Sequence, residues 1–231
     1  GIAHAADNTI SEVRLDNPDL WELNLTTNDL RDIDLSGAPS ILQLWLSNNY
    51  LSAIDVAMLK NLNVLFLDGN SFTFATLPST DRGYNIDNFR NQRPIEATVS
   101  NGKVDLSSQA TVDGTETVYR WFIDSPYLDE NGELAGEELV QGEEFTVENG
   151  VTTFLSNFNH IMCVMTNTRF PGLYMMTDFI NVTASGITDI TTDIEEASTE
   201  YFNLQGIRVE NPGPGIYIRR RGNEVSKILV K

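Results

Sequence analysis

Apolar residues recur along the first seventy positions at a fixed distance. Leu20, Leu23, Leu25, Asn28 and Leu30 return as Ile41, Leu44, Leu46, Asn49 and Leu51, then as Leu62, Leu65, Leu67, Asn70 and Phe72, with a period of 21 residues at every position. A second apolar pair lies between the copies: Val13 and Leu15, Ile33 and Leu35, Ile54 and Val56. Leu-x-Leu alternation predicts a short strand with both leucines turned inward. The Asn that follows can satisfy backbone groups of the neighbouring coil, so stacked copies would form an amide ladder. One unit cannot bury its apolar face alone, so the units must stack, and about three copies is near the minimum for stability. The ends then need covers. Residues 1–12 are predicted to cap one end and 73–93, with Pro78, Gly83 and the adjoining Pro94, to close the other.

The five-point pattern matches the consensus of the leucine-rich repeat, and residues 1–92 resemble that family. The resemblance implies a short leucine-rich repeat solenoid of period 21 within a mainly β chain.

From about Arg93 the pattern changes to short alternating runs: 98–106, 118–123, 144–147, 152–155, 160–166 and 174–182. Asn101-Gly102, Asp113-Gly114 and Asn149-Gly150 fall beside these runs and predict hairpin turns. Several short strands over about 90 residues predict a β-sandwich across 93–183. Two segments carry a closer likeness. Val118-Tyr-Arg-Trp121-Phe-Ile is similar to the strand that holds the core Trp of an immunoglobulin fold, and Ile161-Met-Cys163-Val-Met-Thr166-Asn167 to the later strand that holds its second Cys. The earlier Cys would fall near Leu106 and is missing. The Tyr two places before the second Cys is replaced by Ile161. The segment therefore resembles an immunoglobulin-like domain without a disulfide.

Residues 184–200 are polar and acidic and read as a linker. Residues 201–231 contain Tyr201-Phe-Asn-Leu-Gln-Gly206, Pro214-Gly215-Ile216-Tyr217-Ile218 and Lys227-Ile-Leu-Val-Lys231. This tail resembles the C-terminal sorting domain of type IX-secreted and surface proteins of the Bacteroidota. As a pattern it predicts a small C-terminal β unit of three short strands, with turns at Gly206, at 212–215 and at Gly222. The resemblance implies export, and with it a secreted or outer-surface location.

Charge supports a separate tail. The chain carries −18 overall, yet 201–231 holds Arg208, Arg219, Arg220, Arg221, Lys227 and Lys231 against Glu210 and Glu224. A chain this acidic lacks the basic footprint of a nucleic-acid binder, and anionic membranes are poor partners for the same reason. No apolar run approaches the ~18–20 residues that span a bilayer, so direct membrane insertion is not expected. The chain begins at Gly1 rather than Met, which reads as a processed or trimmed start.

Catalytic and metal motifs find little footing. The two histidines are His4, in the N-terminal stretch, and His160, within an apolar run. There is no His-x-x-x-His, Cys-x-x-Cys or Gly-x-Ser-x-Gly spacing and no phosphate-cradling glycine loop. Cys163 stands among Ile161, Met162, Val164 and Met165, where a thiol is buried and inert. Asp129-Glu-Asn131-Gly132-Glu133 has the acidity of a calcium loop without its later ligands, and it reads as a solvated turn with a weak calcium site left open. The expectation is a chain with no catalytic residues, no metal, no cofactor and no enzymatic activity.

Repeat geometry gives one candidate site. The middle residue of each Leu-x-Leu strand points outward, which aligns Asn24, Trp45 and Phe66 in one column about 4.8 Å apart. Glu22, Gln43 and Val64 flank it on one side, and Thr26, Ser47 and Asp68 on the other. Adjacent aromatics rimmed by polar groups have a hot-spot composition. Two readings stay open: the face anchors a ligand, or this short block folds it against another module. The ligand class expected is an extracellular protein, making the chain a non-enzymatic binding or adhesion protein. The alternative is a carbohydrate-binding module or an accessory of glycan utilisation, with the same aromatics stacking on sugar rings.

Overall fold

The structure is a computed structural model that describes residues 1–184, 200–203, 207–221 and 224–230. The chain is mainly β, with several sheets, and it divides into two compact units, residues 1–185 and 186–231.

Four three-residue strands, β1 (Ile2–His4), β2 (Glu22–Asn24), β3 (Gln43–Trp45) and β4 (Val64–Phe66), form a parallel sheet in that order. Leu23, Leu44 and Leu65 stand directly beside one another in this sheet and are buried. Each coil also buries its second leucine: Leu25, Leu46 and Leu67.

Between the coils runs the amide ladder that the spacing predicts. The Oδ1 atoms of Asn28, Asn49 and Asn70 accept the backbone N–H groups of Ile10, Leu30 and Leu51, each at 3.0 Å. Their Nδ2 groups donate to the preceding coil at Ala5, Leu25 and Leu46, and to their own coil at Leu25, Leu46 and Leu67. Backbone polar groups in a buried interior must find partners, and one side chain per coil supplies them.

The stack extends further than the leucine pattern. Residues 1–12, expected as a cap, contribute β1, in register with β2 at Ile2↔Glu22, Ala3↔Leu23 and His4↔Asn24. Ala3 and Ala5 stand here where the later coils carry leucines. At the other end, a short 3-10 turn at Ile86–Phe89 takes the place of a strand. Gln92 takes over the ladder position: its Oε1 accepts from Phe72 N–H, and its Nε2 donates to Leu67 and Phe89. The segment 73–93 therefore closes the stack by adding an irregular coil.

Antiparallel pairing begins after residue 95. The strands are β5 (Val99–Ser100), β6 (Lys103–Asp105), β7 (Thr111–Val112), β8 (Thr115–Leu128), β9 (Leu134–Glu138), β10 (Phe145–Glu148), β11 (Val151–Phe154), β12 (Phe158–Asn167), β13 (Tyr174–Met176) and β14 (Ile180–Val182). One sheet runs β10-β11-β6-β5. The other runs β13-β12-β8-β7, with β9 beside β8 and β14 beside β12. The three anticipated turn dipeptides sit between β5 and β6, β7 and β8, and β10 and β11. Asn101, Asp113 and Asn149 all adopt positive φ, each followed by a glycine that does the same. Such turns match the twist of the strands they join.

The two sheets face each other across an apolar interior. Trp121 on β8 is fully buried and donates its indole N–H to Thr152 on β11 at 3.1 Å. It meets Phe154 edge-on at 4.8 Å. Cys163 pairs directly opposite Trp121, and Leu106 is buried. The Tyr119 hydroxyl donates to the carbonyl of Leu106, and burial pushes its pKa up to about 12.

Contacts also join the coils to this second pair of sheets. Phe74 stacks on Phe170 at 5.9 Å, and both rings are buried. Arg169 reaches Ser79 at 2.6 Å, Asp81 at 2.7 Å and Asp113 at 2.9 Å. Ile95 N–H donates to the carbonyl of Met176.

The C-terminal unit, by itself, is a sheet of β15 (Glu200–Phe202), β16 (Arg208–Val209), β17 (Gly215–Arg221) and β18 (Glu224–Val230), in the order β16-β15-β17-β18. Four strands appear where the sequence predicts three, since the first stretch divides into β15 and β16. Gly206, Gly222, the linker residues 185–199 and the side chain of Arg221 lie outside the described residues.

Candidate binding face

The outward positions of β2–β4 share one face: of the nine residues singled out from the repeat spacing, Glu22, Asn24, Thr26, Gln43, Trp45, Val64, Phe66 and Asp68 are partly exposed, and Ser47 is buried. Trp45 and Phe66 are directly opposite in the register and stack at 6.2 Å between centroids, with their planes 16° apart. Parallel in-register strands impose this: identical positions on neighbouring coils sit one strand spacing apart, close enough for rings to overlap.

Around the pair the polar positions are tied down locally. Asn24 Oδ1 accepts from Thr26 N–H at 3.0 Å. The Ser47 hydroxyl donates to Asp68 Oδ1. Gln43 stands between Glu22 and Val64 in the adjoining row. Glu22 Oε1 lies 2.6 Å from the Nε2 of His4.

His4 is the face residue that the repeat pattern does not reveal. It precedes Asn24 by 20 residues rather than 21, and alanines flank it instead of leucines. The histidine alternating with two small apolar residues was the only available signal. The column therefore reads His4, Asn24, Trp45, Phe66.

The sequence places His160 within an apolar run, where it reads as a packed or edge-strand histidine. Its side chain is exposed, with Nδ1 2.6 Å from Asp124 Oδ1 and its ring stacked on Phe179 at 4.0 Å. Both His160 and Asp124 adopt positive φ where β8 and β12 lose regular register. The bulges rotate these residues out of the apolar alternation that the sequence suggested. Cys163 is fully buried, and desolvation pushes its thiol pKa far up, so the thiolate is strongly disfavoured.

The acidic loop at Asp129 is closed on itself. Asp129 Oδ1 accepts the backbone N–H groups of Asn131 at 2.8 Å and Glu133 at 2.9 Å. These bonds, the Glu133 one foremost, hold its pKa below the usual value. Among the described residues, no group of three or more His, Cys, Asp or Glu side chains is placed to hold a metal. No helix among them is long and apolar enough to cross a membrane.

Compared with family models, with curated proteins and with solved structures, the chain matches none.

Proposed function

We propose that this chain is a non-enzymatic extracellular binding protein that recognises a protein partner through the outward face of β2–β4. In this reading residues 1–92 are a short leucine-rich repeat solenoid and 93–183 a disulfide-free immunoglobulin-like sandwich that serves as spacer or second surface. Residues 201–231 are a sorting-type tail that directs the protein to the cell surface or the medium. The period of 21, the in-register parallel strands and the amide ladder support the first assignment. The strand order and the Trp121–Cys163 pair support the second.

The observation that carries the function is the stacked Trp45–Phe66 pair, left half-exposed among polar groups. Aromatic side chains cost little conformational entropy to immobilise and dominate binding energy where they anchor. The test is a screen of the full chain on extracellular-protein and glycan arrays, alongside Trp45→Ala. A protein hit weakened at least about tenfold, with the fold retained by circular dichroism, is expected. Binding indifferent to Trp45 would remove the face from the mechanism, and a hit confined to glycans would select the carbohydrate-binding alternative.

The tail assignment has its own test. In a bacterium with a type IX apparatus, deletion of 201–231 should abolish surface display, whereas unchanged display would sink it.

A further inference from the structure

One face of the Trp45 ring is covered. Phe66 stacks on the β4 side, so the other face looks toward Asn24 on β2. Asn24 is short and folds its Oδ1 back onto Thr26 N–H. The next ring in the column is His4, on β1. Trp45 and His4 are thus two strand spacings apart, about 9.6 Å, with only a small amide between them. Subtracting the thickness of the rings leaves a slot wide enough for one extended side chain. Glu22 lies along β2 on the same face, with a carboxylate oxygen held by His4 at 2.6 Å. The slot is thus bounded by Trp45 and His4, with Asn24 between them and the Glu22 carboxylate, in contact with His4, at one end.

We propose that this slot takes a cationic side chain, a lysine or arginine presented by an extended segment of a protein partner. The inference rests on the reading of this face as a binding surface and names what it binds. An indole face attracts cations more strongly than other rings, and a carboxylate beside it adds a charge-assisted hydrogen bond. Charge complementarity points the same way. Residues 1–92 hold twelve acidic against five basic residues, and no Lys or Arg occupies the six outward positions of β2–β4 or the second residue after each strand. The nearest arginine in the following coil, Arg90, lies beyond β4, away from the slot, and pairs with Asp87 at 2.8 Å. A neutral sugar gains the stacking but not the charge.

The test uses capped hexalysine, its fully Nε-acetylated form, and cellohexaose as a neutral glycan, titrated against the full chain by calorimetry. Hexalysine is expected to bind and the acetylated peptide not to. Trp45→Leu and Glu22→Gln should each weaken hexalysine about fivefold. Asp55→Asn removes the same charge from an exposed turn between β3 and β4 and should leave affinity unchanged. Glu22→Gln keeps the size of the side chain and an oxygen to face His4, so it keeps the test open should Trp45→Leu fail to fold. Absence of hexalysine binding, equal binding of the acetylated peptide, or equal losses in Glu22→Gln and Asp55→Asn would each overturn the cationic slot. Trp45-dependent cellohexaose binding with hexalysine indifferent to Trp45 would also overturn it, while leaving the face a binding surface. Indifference of every probe to Trp45, together with array hits indifferent to it, would remove both readings.

Discussion

Asn49→Ala should destabilise the protein by about 3–5 kcal/mol, read as a lower urea midpoint with an unchanged slope. Asn49 is fully buried. Its Oδ1 is the acceptor for Leu30 N–H, and its Nδ2 bridges the carbonyls of Leu25 and Leu46. Alanine leaves the Leu30 donor without a partner and strips a bond from two carbonyls of adjacent coils, none of which water can reach. The orphaned Leu30 N–H costs about 1–3 kcal/mol, and the two carbonyls, which still accept from Asn28 and Asn70, lose about 1 kcal/mol each. The exposed Asn61 is the control: Asn61→Ala should stay within about 0.5 kcal/mol. Comparable midpoints for the two variants would mean that the ladder reflects the stack without holding it. Asn49→Gln should not rescue. Gln92 makes the same bonds with a longer side chain, but in a closing coil, 22 residues after Asn70, where the backbone is irregular and makes room.

Periodicity made the centre of the stack legible and its ends illegible, for one physical reason. Interior coils are covered on both sides, so their inward positions must be large and apolar, and Leu23, Leu44 and Leu65 announce themselves. The first and last coils depart from that pattern: Ala3 stands where a leucine would, and a 3-10 turn stands where a strand would, so His4 and Gln92 escaped it. The same logic governs the antiparallel sheets. Trp121 and Cys163 were legible because each stands in a largely apolar run whose composition marks a buried strand. His160 was not, because a bulge leaves no trace in composition. Asp124 and His160 reverse their facing through backbone φ values that residue types only weakly encode. Long-range polar contacts were least legible of all: nothing near Arg169 in the chain marks it as the partner of Asp81 and Asp113.

Trp121→Ala should cost about 3–5 kcal/mol, the usual range for emptying a large aromatic from a core. In this chain no disulfide stands behind the tryptophan, since Cys163 is its only cysteine. The indole fills the space between the two sheets and ties them through Thr152, which is itself fully buried. Trp121→Phe retains most of the volume and leaves the Thr152 hydroxyl without its indole partner, a cost of about 1–3 kcal/mol on top of the smaller packing loss. Adding Thr152→Val to Trp121→Phe should recover part of that loss, because replacing both partners by apolar groups removes the orphan. A double-mutant cycle with no recovery would assign the whole effect to volume. The unfolding curve carries a second consequence. The Phe74–Phe170 stack and the Arg169 contacts join the coils to the sheets that Trp121 holds. Loss of Trp121 should therefore lower the midpoint at which the fluorescence of Trp21 and Trp45 changes on the coils, in step with circular dichroism. Separate midpoints for the two signals would show that the junction does not couple them, and that the coil face keeps its geometry when the neighbouring sheets unfold.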